Sequence, residues 1–449
     1  MKLKLYRSST VGIIFENCKI LTDPWLVDGE YYGSWSHYPP FNIENSLTEL
    51  NSYDAIYVSH IHPDHCSVKT MSYFNKDIPI IIHKFHSRFL KFKIEKMGFK
   101  NVTEVENGKK HRINKDTSIT IFAADNCDPE LCYKFTGCAN LNEKNTSQQI
   151  DTLSVIQHKN LKIVNVNDCP YELAKHPLKI IKDKYKNIDI LMTGYGGAGP
   201  YPQCFENLQY SEKIIESEKK KKSFLDQASN FIQLIEPNYY LPFAGSYTLT
   251  GKLFNKQEIR GVPEVKEACS YIDQKLRDNN IKSKPIKIGP DDTFDMDKPE
   301  EIGTNFEINN EQHKKYAIEH LSNKKFDYEI DDLPEEQELL QLAKSAQQKY
   351  IKKKKDLFSD ISTEILIDFG NKIILLPSDN SSVEIKNIDY TPNKDFIKMK
   401  LDPRLLKRIL MGPRYAHWNN AEIGSHIEYY RQPNIFNRNL HASICYFHN

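Results

Sequence analysis

Residues 57–67 read YVSHIHPDHCS, and the interpretation of the chain turns on them. They continue an apolar run of strand length, DAIYVS, and place His60, His62, Asp64 and His65 within six consecutive positions. His60 and His62 leave the strand end two residues apart and can converge on one ion. Asp64 and His65 lie across the tight turn that Pro63 helps to fix and face a neighbouring position, so one loop can serve two metals. A lone histidine is more often a satisfied polar residue than a ligand, but four such groups at a strand end have few structural explanations. Asp64 and His65, adjoining both positions, are also the candidates for direct catalysis.

Outward from this loop, short β-branched and aromatic runs recur: KLKLYRSS, VGIIF and KILTDPW before it, IPIIIH and SITIFAAD after it. These are strands. Between them, HSRFLKFKIEKMGF repeats its apolar residues at three- and four-residue intervals, as a helix does. The alternation continues through DTLSVIQH, LKIVNVND, IDILMTG and PNYYLPFAG, which defines an α/β catalytic domain over residues 1–258. Residues 259–355 are charge-rich and helix-like, with few strands expected, and their lysine run at 352–355 reads as a solvated helix end. From 356 to 449 strand texture returns in TEILIDF, KIILLP and FIKMKLD, followed by a helical PRLLKRIL, which suggests a small α+β module.

Composition narrows the function. The 449 residues suffice for about two or three domains and an enclosed site. Sixty-one Lys and Arg against 60 Asp and Glu leave a net charge of +1, which argues against a basic nucleic-acid surface and for a small polar substrate. Nine cysteines without a CxxC pair read as free thiols of a reducing compartment. With no apolar run of membrane-spanning length, the expected location is the cytoplasm and no membrane partner is expected.

HxHxDH behind such a strand resembles the metallo-β-lactamase superfamily, an αββα sandwich with its metal site at one edge of the two sheets. The resemblance implies that Asp23, in LTDPW, lies beneath the loop and orients it. It also implies that Asp168, ending LKIVNVND, stands between two ions, a place suited to a carboxylate with two oxygens. DPWLVDGEYYGSWSHYPP, VNDCP, GYGGAGPYP and YLPFAG follow in the order seen in the catalytic part of CMP-N-acetylneuraminate hydroxylase and UDP-N-acetylmuramate hydroxylases. Those enzymes use iron fed by an attached Rieske cluster. Such a cluster needs a CxH and a CxxH pair together, which this sequence lacks, so an oxygenase of this kind would need an external electron donor.

Two departures from the superfamily matter. Its third histidine would follow SITIFAAD, where Asp125 and Asp128 are the nearest ligand-type residues, and Asp128 is the expected replacement. Its last histidine would fall near YLPFAGSY, where no side-chain ligand stands. His60, His62, one of these aspartates and Asp168 then form one site, and Asp64, His65 and Asp168 a second. Oxygen-rich ligation shifts preference from zinc toward iron or manganese.

Around the metals, Trp35 in the aromatic loop is a candidate wall for substrate, although packing over the sheet edge explains the loop equally. His37 in the same loop is the candidate proton donor. Tyr195, Gly197 and Tyr201 of GYGGAGPYP are candidates for substrate contact, a tight strand-to-helix connection being the alternative. So are His417 and Asn419 of a C-terminal stretch that also gathers Glu422, His426 and Arg431. His83, His86, His158 and His176 are expected to be structural or surface residues. The leading expectation is a metal-dependent hydrolase with one or two divalent ions, whose bound water is acidified to near neutrality. The alternative is an iron-dependent hydroxylase, and a binding protein that has lost turnover comes third.

Overall fold

The computed structural model describes residues 1–136, 146–147, 149–357 and 362–449. Two seven-stranded sheets stack on each other. The first runs Thr293–Asp295, Lys2–Arg7, Thr10–Ile14, Lys19–Thr22, Ala55–Tyr57, Ile80–His83 and Val102–Val105. The second runs Lys284–Pro285, Tyr239–Phe243, Ile190–Gly194, Leu161–Asn165, Thr152–His158, Thr117–Ala123 and Lys110–Arg112.

The strands read as continuous apolar runs because both faces of each sheet are covered. In Ile190–Gly194, Ile190 and Met192 belong to the core between the sheets while Leu191 packs with the outer helices. In Ile80–His83, Ile81 belongs to the inner core and Ile80 and Ile82 to the outer one. This is the two-residue period of a strand. Helices Tyr171–Tyr185, Tyr210–Ile235 and Val265–Asp278 cover the second sheet, and Val68–Met71 and Phe89–Lys96 the first, giving the expected αββα sandwich. The longest begins with a capping box, in which the backbone N–H of Gln209 donates to Glu212 Oε2 at 2.7 Å. Parallel pairing of Lys19–Thr22, Ala55–Tyr57 and Ile80–His83 brings the C-terminal ends of these strands to one rim, the usual place for a site in such sheets.

Residues 259–355 are mainly helical, but Thr293–Asp295 pairs with Lys2–Lys4 and Lys284–Pro285 with Tyr239–Tyr240, so this stretch supplies an edge strand to each sheet. Such two- and three-residue edges leave too little pattern to read. The residues from 362 onward do form a five-stranded sheet, with helix Pro403–Met411 capped by Asp402. Its core, however, is not its own. Ile365, Ile397, Trp418 and Tyr429 share one apolar cluster with Trp25, Tyr31, Trp35 and Tyr247, because the aromatic loop that follows Asp23 needs an apolar partner. In the lysine run, Lys354 is buried and donates to Ser378 O at 2.9 Å and Asn380 Oδ1 at 3.1 Å. Cys18, Cys66, Cys127, Cys169, Cys204 and Cys269 are free thiols, and Cys138 lies outside the described residues. No helix among the described residues is long and apolar enough to cross a membrane.

Candidate metal centre

The strand Ala55–Tyr57 ends at the rim, and the next residues carry the HxHxDH side chains. Asp23, fully buried at φ +42°, organises them from below. Its Oδ1 accepts the Ser59 N–H at 2.7 Å, and its Oδ2 accepts the Ser59 hydroxyl at 2.8 Å and His65 Nδ1–H at 3.0 Å. With its hydrogen committed to Asp23, the Ser59 hydroxyl can only accept from His60 Nδ1–H, at 2.9 Å. Thr152 holds the turn by donating to Ser59 O at 2.7 Å. On the far side, His62 Nε2 stands 3.0 Å from Asn419 Oδ1 and donates to it.

These partners fix all three tautomers, as carboxylates and carbonyls do behind metal-bound histidines. They leave lone pairs on His60 Nε2 and His62 Nδ1 and turn His65 Nε2 toward the same space. His60 Nε2 and His62 Nδ1 then face each other at 3.0 Å. Two lone pairs cannot hydrogen-bond, and a cation held by both resolves the conflict. Carboxylates complete the set. Asp151 Oδ1 lies 3.8 Å from His60 Nε2, and Asp168 Oδ2 lies 3.2 Å from His65 Nε2 and 4.0 Å from His60 Nε2. Asp64 Oδ2 is 3.5 Å from His65 Nε2, while its Oδ1 accepts the Tyr31 hydroxyl. Among the described residues, His60, His62 and Asp151 form one donor group and His60, His65 and Asp168 another. This donor set fits divalent metal.

The electrostatics agree. Burial, followed by the charges of neighbouring histidines, holds His60 well below its usual pKa. Burial also lowers His62, against the pull of Asp64. For His65 burial works the same way, but Asp168, Asp64 and Asp23 outweigh it and raise the pKa well above the ordinary value. Burial and the charge of Asp168 push Asp151 up to about 8. Without an ion, these groups hold protons on His65 Nε2 and on Asp151, the positions that a cation would take in exchange.

The structure brings His60, His62, Asp64, His65 and Asp168 together and leaves Asp128 outside. Asp128 is exposed and caps helix Pro129–Thr136, accepting from Glu130 N at 3.0 Å and Leu131 N at 3.3 Å. Asp125 is buried, with its oxygens on Cys127 N and Gln149 N. The carboxylate beside His60 is Asp151, which the sequence reading missed. Thr117–Ala123 and Thr152–His158 are antiparallel, with Thr152 opposite Ala123, so the residue before the second strand returns to the rim where the first one ends. An acid at the start of that strand was the available signal.

Other candidates also stand differently. His37 is buried against Trp25 at 4.0 Å, and burial pushes its pKa to about 3, so it is neutral and has no imidazolium proton to give. Trp35 is 3 % exposed and stacked on Tyr247 at 3.7 Å, closed behind Tyr31 and no open wall. Tyr195 is buried with Leu225 and Ala268. Gly197 lies against the Phe224 ring, 1.9 Å from where a Cβ would stand. Tyr201 donates its hydroxyl to Glu216 at 2.7 Å. His417 caps helix Trp418–Ile423, its Nδ1 accepting Asn419 N–H at 3.2 Å. Asn419 reaches the centre, but through a histidine. Ser59 and Tyr31, unmarked in the sequence analysis, hold the loop and Asp64.

Comparison with known proteins agrees with this architecture. Cytidine monophosphate-N-acetylneuraminic acid hydroxylase of Danio rerio is 26% identical over 243 residues, covering 51% of this chain and 35% of the relative. The Asterias rubens protein of the same name is 27% identical over 260 residues, covering 55% and 35%. The chain thus spans about a third of the length of these relatives. Among solved structures, isothiocyanate hydrolase from Delia radicum gut bacteria aligns with 66% of this chain and 99% of its own at TM-score 0.42 and 14% identity. CmlA, a diiron beta-hydroxylase from Streptomyces venezuelae, aligns with 63% and 52% at TM-score 0.38 and 14% identity. Residues 2–244, which carry Asp23, the HxHxDH loop, Asp151 and Asp168, match the family model described as the beta-lactamase superfamily domain. The chain belongs to that superfamily.

Proposed function

We propose that this protein is an iron-dependent hydroxylase of a small polar molecule, supplied with electrons by a donor beyond these residues. The observation that carries the reading is Asp151 beside His60 and His62. Where the superfamily pattern implies a third histidine, two histidines and one carboxylate are the donor type associated with Fe(II) and oxygen activation. His60, His62 and Asp151 would hold one ion, and His65, Asp64 and Asp168 a second. Bound there, the metal supplies redox and Lewis-acid chemistry.

The chain's own residues supply orientation. Asn419 keeps His62 Nδ1 free of its proton, Ser59 does the same for His60 Nε2, and Asp23 holds the His65 ring with Nε2 toward the centre. Tyr31 holds Asp64 to the loop. Hydroxylation places one atom of O2 in a C–H bond and releases the other as water, consuming two electrons and two protons. Cys445 and His448 have CxxH spacing, but no CxH accompanies them in the sequence, so the electrons need another source. A second reading, metal-dependent hydrolysis, is favoured by the adjoining Asp64, His65 and Asp168, because two neighbouring donor sets suit a two-ion hydrolytic centre.

Competition titrations of Fe(II) against Zn(II) on wild type and Asp151→His test the reading. Wild type should favour Fe(II) relative to Asp151→His, since imidazole is the softer ligand. Equal selectivity in the two proteins, with zinc retained by protein purified without added metal, would refute the hydroxylase and leave the hydrolase.

A further inference from the structure

Two features remain outside the metal centre: the loop GYGGAGPYP and the part of the C-terminal polar stretch beyond Asn419. They meet at a cavity of about 510 Å³ whose walls include Tyr201, Phe205, Glu422, Arg431, Phe436 and His441. None of the metal donors lines it. Its size is that of a small-molecule site.

Its polar groups are incompletely satisfied. Arg431 is only 8 % exposed, yet among the described residues it makes no ion pair. Its Nε and Nη2 donate to the neutral Asn434 Oδ1 at 3.2 and 2.8 Å, and its guanidinium lies over the Phe205 ring at 4.5 Å. Buried charges are ordinarily paired. His441 Nδ1–H donates to Glu422 Oε1 at 3.0 Å, which also accepts the Tyr429 hydroxyl at 2.7 Å. That leaves His441 Nε2 buried without a partner among the described residues. Phe436, 62 % exposed, stacks on the His441 ring at 5.1 Å, an aromatic face held out toward solvent.

We propose that this cavity binds a planar ring that carries an oxyanion. The aromatic side chains provide stacking surfaces, Arg431 supplies the missing charge partner, and a ring N–H or O–H satisfies His441 Nε2. A carboxylate on an aromatic ring and the phosphate of a nucleoside monophosphate share this chemistry. Glu422 lies one helical turn from Asn419 on helix Trp418–Ile423, so the cavity adjoins the metal centre without overlapping its donors.

Calorimetric titration with benzoate and with adenosine monophosphate tests this, with acetate and inorganic phosphate as oxyanions without a ring. One ring-bearing probe should bind the wild type at least about tenfold tighter than its ringless counterpart, the scale of one stacking contact. Whichever probe binds identifies the source of the oxyanion. Phe436→Ala, exposed enough to spare the fold, should weaken binding about tenfold, and Arg431→Gln should abolish it. Metal-stripped protein should bind as before, which separates this site from the metal centre. Failure of both ring probes to bind the wild type would overturn the proposal. So would wild-type affinity in Phe436→Ala, or loss of binding when the metal is removed.

Discussion

Replacing Asn419 with alanine should weaken metal binding about 10- to 100-fold although Asn419 is not itself a ligand. Its Oδ1 accepts the His62 Nε2–H at 3.0 Å from a segment 357 residues away in sequence. One hydrogen bond of this kind contributes about 1 kcal/mol net. Its loss also frees the ring to take the other tautomer, which protonates the nitrogen that faces His60. Partners behind metal-bound histidines are together worth about 10- to 100-fold in affinity, or about 1.4–2.7 kcal/mol. Asn419→Asp keeps an acceptor and adds charge, so it should bind metal at least as tightly as wild type. The assay is competition against a chromophoric chelator, with circular dichroism confirming the fold of each variant. Wild-type affinity in Asn419→Ala, or equal losses in Ala and Asp, would refute the reasoning.

Asp128→Ala should leave metal content unchanged and cost only a helix cap, about 1 kcal/mol in denaturant unfolding. Metal loss in elemental analysis would return Asp128 to the centre. For Asp168→Asn, partial metal loss is expected by the same analysis, because the amide keeps the shape but removes the charge beside His65; full occupancy would remove Asp168 from the ligand set. His83 is fully buried, neither ring nitrogen has a hydrogen-bond partner among the described residues, and burial lowers its pKa from 6.5 to about 4. Between these values the unfolded chain binds a proton that the folded one does not, so His83 should cost about 3 kcal/mol of stability as pH falls from 6.5 to 4. His83→Leu should flatten the stability profile over that window, and an unchanged profile would count against the assignment.

The sandwich was legible because its strands are buried on both faces and its strongest motif sits at a strand end. Edge strands such as Lys284–Pro285 were not, since two residues carry no period. Asp128 was the wrong carboxylate for a local reason. It is followed by Pro129 in a helix start, the place where an aspartate caps, and nothing within a few residues distinguishes a cap from a ligand. The aromatic loop read equally as a wall for substrate and as packing over the sheet edge, and it is packing: Trp35, and Trp25 beneath His37, belong to a core that residues more than 300 positions later help to build.

What the sequence by itself determined is the set of groups adjacent along one strand end: His60, His62, Asp64 and His65 are placed by backbone geometry whatever surrounds them. The tertiary structure alone decided which distant groups join them. Antiparallel pairing returns Asp151 to the rim, and the shared apolar core docks the C-terminal segment so that Asn419 meets His62. A metal centre needs donors within a few ångströms, and long-range pairing and burial bring such donors together, while local sequence records only their chemistry.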